Sequence, residues 1–143
     1  MAERRSGSRS GGAGQVPELI KRDVTARAAE LISRKFRIDP ENQAEARRLG
    51  FNYVIDVFGE WRGRSYYLCA KYRTARGDSE EEWVVRTTRL TYTAFGRFDL
   101  AYFRYTKRWQ PVFSGMTVPE LFETIEQEEI SEDAGKISSS EFF

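Results

Sequence analysis

Two hydrophobic periods divide the chain. Leu19, Ile20, Val24, Ala28, Leu31 and Ile32 recur at helical spacing up to Phe36, with Lys21, Arg22, Arg27, Glu30 and Arg34 at the other positions. Pro17 fits the first turn, where a missing N–H donor costs nothing, so an amphipathic helix is predicted over 17–36. A second helix is marked by its ends. Asp39 can accept free backbone N–H groups as N-cap, Pro40 follows at the first position, Ala44, Ala46 and Leu49 recur, and Gly50 can take the left-handed conformation that closes a helix.

After Gly50 the period becomes two. Phe51, Tyr53, Ile55 and Val57 are expected on one face of a first strand. Over 65–74, Tyr66, Leu68, Ala70 and Tyr72 oppose Tyr67, Cys69, Lys71 and Arg73. Over 83–93, Trp83, Val85 and Thr87 oppose Val84, Arg86 and Thr88. Over 97–106, Phe98, Leu100 and Tyr102 oppose Asp99, Ala101, Phe103 and Tyr105. Residues 59–64 and Phe95-Gly96 read as turns and 75–82 as an acidic loop. A short fifth strand over 108–114 contains Pro111, which lacks a ladder donor and so belongs at an edge. Thr117-Val118-Pro119-Glu120 reads as a capping box, and Val118, Leu121, Phe122 and Ile125 form the stripe of a docking helix. Links this short imply antiparallel neighbours, because parallel strands need long crossovers. The expected fold is α+β: an antiparallel β-meander of about five strands, with two N-terminal helices and one C-terminal helix packed on one face.

The flanks lack either period. Residues 1–15 are rich in Gly, Ser and Arg and read as a disordered arm, 16–130 as a single domain, and 131–143 as a flexible acidic tail ending in Phe142-Phe143. The chain of 143 residues suits one domain. Its apolar residues (40%), charged residues (31%) and mean hydropathy of −0.62 describe a modest core under a polar surface. No apolar run approaches the ~20 residues of a membrane span. Met1 to Gly7 has no apolar stretch behind its charges, so no signal peptide is read, no membrane contact is expected, and the expected location is cytoplasmic. The net charge of +1 conceals an asymmetry. Residues 1–116 carry 22 Lys and Arg against 14 Asp and Glu, whereas 117–143 carry one Lys against 8 acids. A basic body with an acidic end can attract an anion and screen the same place.

Composition also removes chemistry. The chain has no histidine, which excludes a His base, a Ser-His or Cys-His pair and a His-ligated metal. Its single cysteine, Cys69, excludes an internal disulfide and a zinc-thiolate cluster, and a lone cysteine without a His reads as a small buried hydrophobe. Gly7, Gly11, Gly12 and Gly14 precede a helix but follow no strand, so they lack the context of a phosphate loop.

Three clusters carry a resemblance: Phe51-Asn52-Tyr53-Val54-x-Asp56; Tyr67-x-Cys69-Ala70-Lys71-Tyr72-Arg73; and Phe98-Asp99-Leu100-Ala101-Tyr102-Phe103-Arg104 with Thr106 and Trp109, followed by Leu121 and Ile125. In this order they resemble a family of small uncharacterised bacterial proteins. In that family a His stands where this chain has Tyr105. The resemblance implies a self-contained domain and no particular activity.

The candidate recognition surface is basic and aromatic: Trp61, Arg64, Tyr67, Lys71, Arg73, Phe103, Tyr105, Arg108 and Trp109, drawn from a wider set that includes Arg62, Arg86, Arg89 and Lys107. The leading expectation is a non-enzymatic interaction domain that presents this surface to a partner protein, with self-association through the edge strand 108–114 as a further expectation. The alternative is single-stranded nucleic acid, whose bases stack on aromatic rings while cations follow the phosphates, with the acidic tail as autoinhibitor. A third reading is a degenerate metal-dependent nuclease at Asp56 and Lys71, in which Cys69 stands where a carboxylate would be needed and Glu60 lies nearby. The plainer reading of Asp56 and Lys71 is a cross-strand ion pair. No catalytic residue, metal or cofactor is assigned.

Overall fold

The computed structural model describes residues 15–36, 39–74, 81–104 and 106–131, with side chains up to Gln127 in the last helix. Residues 1–14 of the expected arm, Tyr105, most of the acidic loop and residues 132–143 of the expected tail lie outside these residues. In chain order the elements are α1 (Glu18–Lys35), α2 (Pro40–Leu49), β1 (Tyr53–Arg62), β2 (Ser65–Arg73), β3 (Glu82–Ala94), β4 (Arg97–Phe103), β5 (Trp109–Met116) and α3 (Val118–Ser131). The five strands form one antiparallel sheet in the order β1-β2-β3-β4-β5, so the α+β meander read from the sequence is the fold.

The helix ends are built by the residues that signal them. Asp39 Oδ1 accepts from the Glu41 N–H at 2.9 Å, and Gly50 closes α2 with φ +80°. At α3 the Thr117 N–H donates to Glu120 Oε1 at 2.9 Å, and the Glu120 N–H donates back to Thr117 Oγ1 at 3.3 Å, a reciprocal capping box. Pro17 stands one residue outside α1, where its carbonyl accepts from the Ile20 and Lys21 N–H groups at 3.0 Å.

α1 and α3 lie side by side over one face of the sheet. Val24, Ala28 and Leu31 of α1 meet Leu121, Phe122 and Ile125 of α3, above Tyr66, Leu68, Leu90, Tyr92, Phe98, Leu100 and Tyr102. Arg34 joins the two helices through Glu126, with donor–acceptor distances of 2.8 and 3.3 Å. α2 buries none of its residues and touches the start of edge strand β1. There Gln43 donates to the Val54 carbonyl at 2.8 Å and Arg47 to the Tyr53 hydroxyl at 3.1 Å. A second, smaller cluster unites Val54, Ala70 and Tyr72 with Val57, Trp83 and Val85, and the Tyr72 and Trp83 rings stack at 5.8 Å.

The ladders are irregular at five places, two of them in the pairings of β2. Val54 pairs with Tyr72 but Asp56 with Lys71, so Ile55 is an extra residue. Tyr53 and Val57, expected on one face, therefore lie on opposite faces. Likewise Leu68 pairs with Thr88 but Cys69 with Arg86, so Thr87 is extra. Beyond it Thr88, expected opposite Trp83 and Val85, joins their face and is buried. A bulge inserts one residue against none on the partner strand, which reverses the side-chain parity beyond it. Thr87 Oγ1 donates to the Leu68 carbonyl at 3.2 Å, so the extra residue is itself hydrogen-bonded.

β5 is an edge strand, as Pro111 required. Its ladder with β4 is irregular between Phe98 and Leu100 and again between Leu100 and Ala101. Such breaks, like the proline, blunt the row of donors that a second copy would need.

Candidate recognition face

The face opposite α1 and α3 carries the alternate side chains. Along β1 these are Asp56, Phe58 and Glu60; along β2, Tyr67, Cys69, Lys71 and Arg73; along β3, Glu82, Val84, Arg86 and Arg89; along β4, Ala101 and Phe103; and on β5, Trp109. The bulge at Thr87 is what brings the two arginines together. Residues three apart in a regular strand point to opposite faces, but one extra residue puts Arg86 and Arg89 on the same one.

At the centre three rings meet. Tyr67 and Trp109 have centroids 5.8 Å apart, and Phe103 meets Trp109 edge-on at 5.3 Å. Tyr67 belongs to β2 and Trp109 to β5, three strand spacings or about 14 Å apart. Both rings must therefore lean across β3 and β4. Ala101 makes this feasible: it pairs with Arg89 on one side and Pro111 on the other, is buried, and has only a methyl group to occupy the space. The Arg86 guanidinium lies 4.7 Å over the Tyr67 ring and the Arg89 guanidinium 4.7 Å over the Trp109 ring. Each stacking is worth about 0.5–1 kcal/mol where water reaches it.

Beside the rings lies an open groove of about 600 Å³. Phe58, Val84, Phe103 and Trp109 give it apolar walls, and Glu60, Arg86 and Lys107 give it charge. Lys107 reaches the groove from the β4–β5 turn, where its own backbone is left-handed (φ +67°) and its N–H donates to the Arg104 carbonyl at 2.7 Å.

Residues 16–131 match the family model described as a domain of unknown function, DUF3024. The chain belongs to this family. No curated protein and no solved structure matches it.

Within the DUF3024 domain the cations of the face fall into two groups. Lys71 and Arg73 share Glu82, at 3.4 Å and 2.9 Å, and Arg86 pairs with Glu60 at 3.3 Å. The hydrogen bonds from Arg73 and then Lys71 hold the Glu82 carboxyl below the usual carboxylate range. Arg62, Arg89, Lys107 and Arg108 have no carboxylate within ion-pairing distance among the described residues. The free positive charge is therefore spread around the rings, while the end of the face near Tyr53 is internally neutralised.

The residues expected at the site divide accordingly. Tyr67, Lys71, Arg73, Phe103 and Trp109 share the face opposite α1 and α3, which α2 meets only at its Tyr53 end through Arg47, and Arg108 lies exposed on the turn beside it. Trp61 does not join them. It stands on the helix side, edge-on to Tyr66 at 5.0 Å, with its indole N–H donating to Thr25 Oγ1 at 3.1 Å. The reason is parity, since Trp61 pairs with Tyr66 and follows it inward. Arg64 sits in the β1–β2 turn and donates to the Tyr92 carbonyl at 3.1 Å. Tyr105 lies outside the described residues.

The groups weighed for chemistry are otherwise engaged. Asp56 faces Lys71 across the ladder, but the lysine ammonium goes to Glu82. Glu60 binds Arg86, and among the described residues no three of His, Cys, Asp and Glu gather as a metal site. Cys69 is buried, and its thiol is pushed up to about 11, chiefly by loss of solvent and then by the Glu60 charge, against the opposing pull of Arg86. At neutral pH it is a thiol, not a thiolate nucleophile. No described helix is long and apolar enough to cross a membrane.

Proposed function

We propose that this domain binds single-stranded nucleic acid across the sheet face opposite α1 and α3, as a binding module and not as an enzyme. The observation that carries the reading is the gathering of Tyr67, Phe103 and Trp109 with Arg86 and Arg89 on a face that neither α1 nor α3 covers. Rings offer planes on which any base can stack, and Arg62, Arg89, Lys107 and Arg108, which have no carboxylate partner among the described residues, suit a phosphate chain passing them. The sequence alone favours a partner protein. The order reverses because Arg89 lies over the Trp109 ring and Lys107 beside Phe103 and Trp109, with no carboxylate partner for either among the described residues. A protein partner is the second reading, favoured by the apolar walls of the groove, which would take an inserted side chain.

The test is a titration of dye-labelled oligothymidine with the protein, followed by anisotropy at low and raised salt. Binding is expected at low salt, with log affinity falling against log salt by about 0.7 for each phosphate contacted. Trp109→Ala is expected to weaken it by about 1–3 kcal/mol, the worth of one stacked base. No binding at low salt would overturn the reading and leave the protein partner.

A further inference from the structure

The β3–β4 hairpin turns on Phe95 and Gly96, with Ala94 pairing Arg97 to close a two-residue loop. Both turn residues are left-handed, Phe95 at φ +56° and Gly96 at φ +75°. Asn, Asp and Gly suit this geometry, and an aromatic does not. Phe95 is also 96% exposed, the most exposed of the large hydrophobic residues described. The fold thus carries at one point two features that stability alone would remove.

The surroundings are basic. The β1–β2 turn lies at the same end of the sheet, tied on by the Tyr92 N–H donating to the Arg64 carbonyl at 2.9 Å. Arg64 and Arg97 are both held by neutral carbonyls, Arg64 by Tyr92 and Arg97 by Gly115 at 2.9 Å. Neither they nor Arg62 has a carboxylate within ion-pairing distance among the described residues. This contrasts with Arg27, Arg34, Arg48, Arg73 and Arg86, each of which has one. An apolar ring on an exposed turn, at an end of the sheet whose arginines have no carboxylate within ion-pairing distance among the described residues, suits a polyanion that also offers a flat apolar surface. Arg62 makes the tip continuous with the recognition face, because it ends β1 on the same side as Glu60 and Tyr67.

We propose that the Phe95 tip is a second nucleic-acid contact, whose ring stacks on the terminal base pair where a duplex meets the single strand, so that a single-strand/duplex junction is the preferred ligand. This rests on the single-strand reading of the face and deepens it. Arg62, Arg64 and Arg97 take the phosphates on either side of the junction, and the aromatic face takes the strand leading away from it. Wedge-like apolar side chains on protruding elements act on base steps in this way.

The experiment compares oligothymidine alone with the same oligothymidine as an overhang on a short duplex, for the natural chain, Phe95→Asn and Phe95→Trp. The natural chain is expected to bind the junction about tenfold more tightly than the free strand, the effect of one stacked base. Phe95→Asn, a residue the turn accepts, is expected to lose that preference and keep its affinity for oligothymidine, while Phe95→Trp retains both. Equal affinity of the natural chain for the two ligands, or an undiminished preference in Phe95→Asn, would overturn the assignment while leaving the face intact. Binding of neither ligand would overturn the face and the tip together. Binding to phosphatidylserine vesicles that is lost in Phe95→Asn, without a junction preference, would overturn it in favour of a membrane.

Discussion

Phe95→Asn should make the protein more stable. A left-handed backbone costs an ordinary L-residue about 1–2 kcal/mol, because Cβ crowds the following carbonyl oxygen; Asn pays less and Gly almost nothing. Phe95 occupies that region beside Gly96, so the pair has the backbone of the turn that Asn-Gly fills best. The usual penalty for removing an aromatic ring is the loss of buried area, and here the side chain is 96% exposed, so that term is close to zero. The balance is a gain of about 1 kcal/mol, which for a domain of this size raises Tm by about 3 °C. Thermal melts followed by far-ultraviolet circular dichroism, together with urea titrations, measure it. A higher midpoint at unchanged m-value is expected. A fall in Tm would refute the reasoning, since it would mean that the ring packs on the fold or that the turn carries no strain. Set beside the junction assay, the same substitution should separate stability from binding, the first rising as the second is lost.

Removing a negative charge from the recognition face should strengthen binding: Glu82→Gln frees Lys71 and Arg73, and oligothymidine affinity should rise with a steeper salt dependence, whereas unchanged values would place the strand elsewhere. The Glu126 carboxyl is held below its usual range by its hydrogen bond to Arg34, so its contribution is present above the unfolded carboxylate pKa and is lost as pH falls through the lower folded value. Stability measured downward from about pH 5 should accordingly decline less steeply in Glu126→Gln than in the natural chain. Cys69, buried and with its thiol raised to about 11, should resist alkylation at pH 7 and react at once when urea unfolds the chain; fast labelling of the native protein would contradict the burial.

What the sequence discloses and what it withholds follow from where each feature's cause resides. Asp39-Pro40, Gly50 and the Thr117–Glu120 pair act on backbone groups within a few residues of themselves, so their roles are readable one helix end at a time. The meander follows from link length, and the edge position of β5 from the missing donor of Pro111. The bulges at Ile55 and Thr87 are different, since each is defined by the count of residues on the partner strand, which no local pattern encodes. Their effect reaches the candidate site. Perfect alternation splits Arg86 from Arg89, and only the extra Thr87 makes them neighbours over Tyr67 and Trp109. Arg86, Arg89 and Lys107 were visible as basic residues, but their place at the centre of the face was not. Residue type alone groups Trp61 with them, although its ladder partner Tyr66 carries it to the helix side. Phe58 and Val84, which wall the groove, carry no signal beyond their alternation, and Glu60 reads only as a carboxylate near Asp56.

The most direct measurement of the central claim is a nitrogen-15 NMR titration of the protein with oligothymidine, read at the three tryptophan indole N–H groups and the strand amides. The Trp109 indole and the amides of Tyr67, Arg86, Arg89 and Phe103 should shift, while the Trp61 indole, bonded to Thr25 beneath α1, stays in place. Shifts confined to the Trp61 indole, α1 and α3, or no shifts at low salt, would contradict the account.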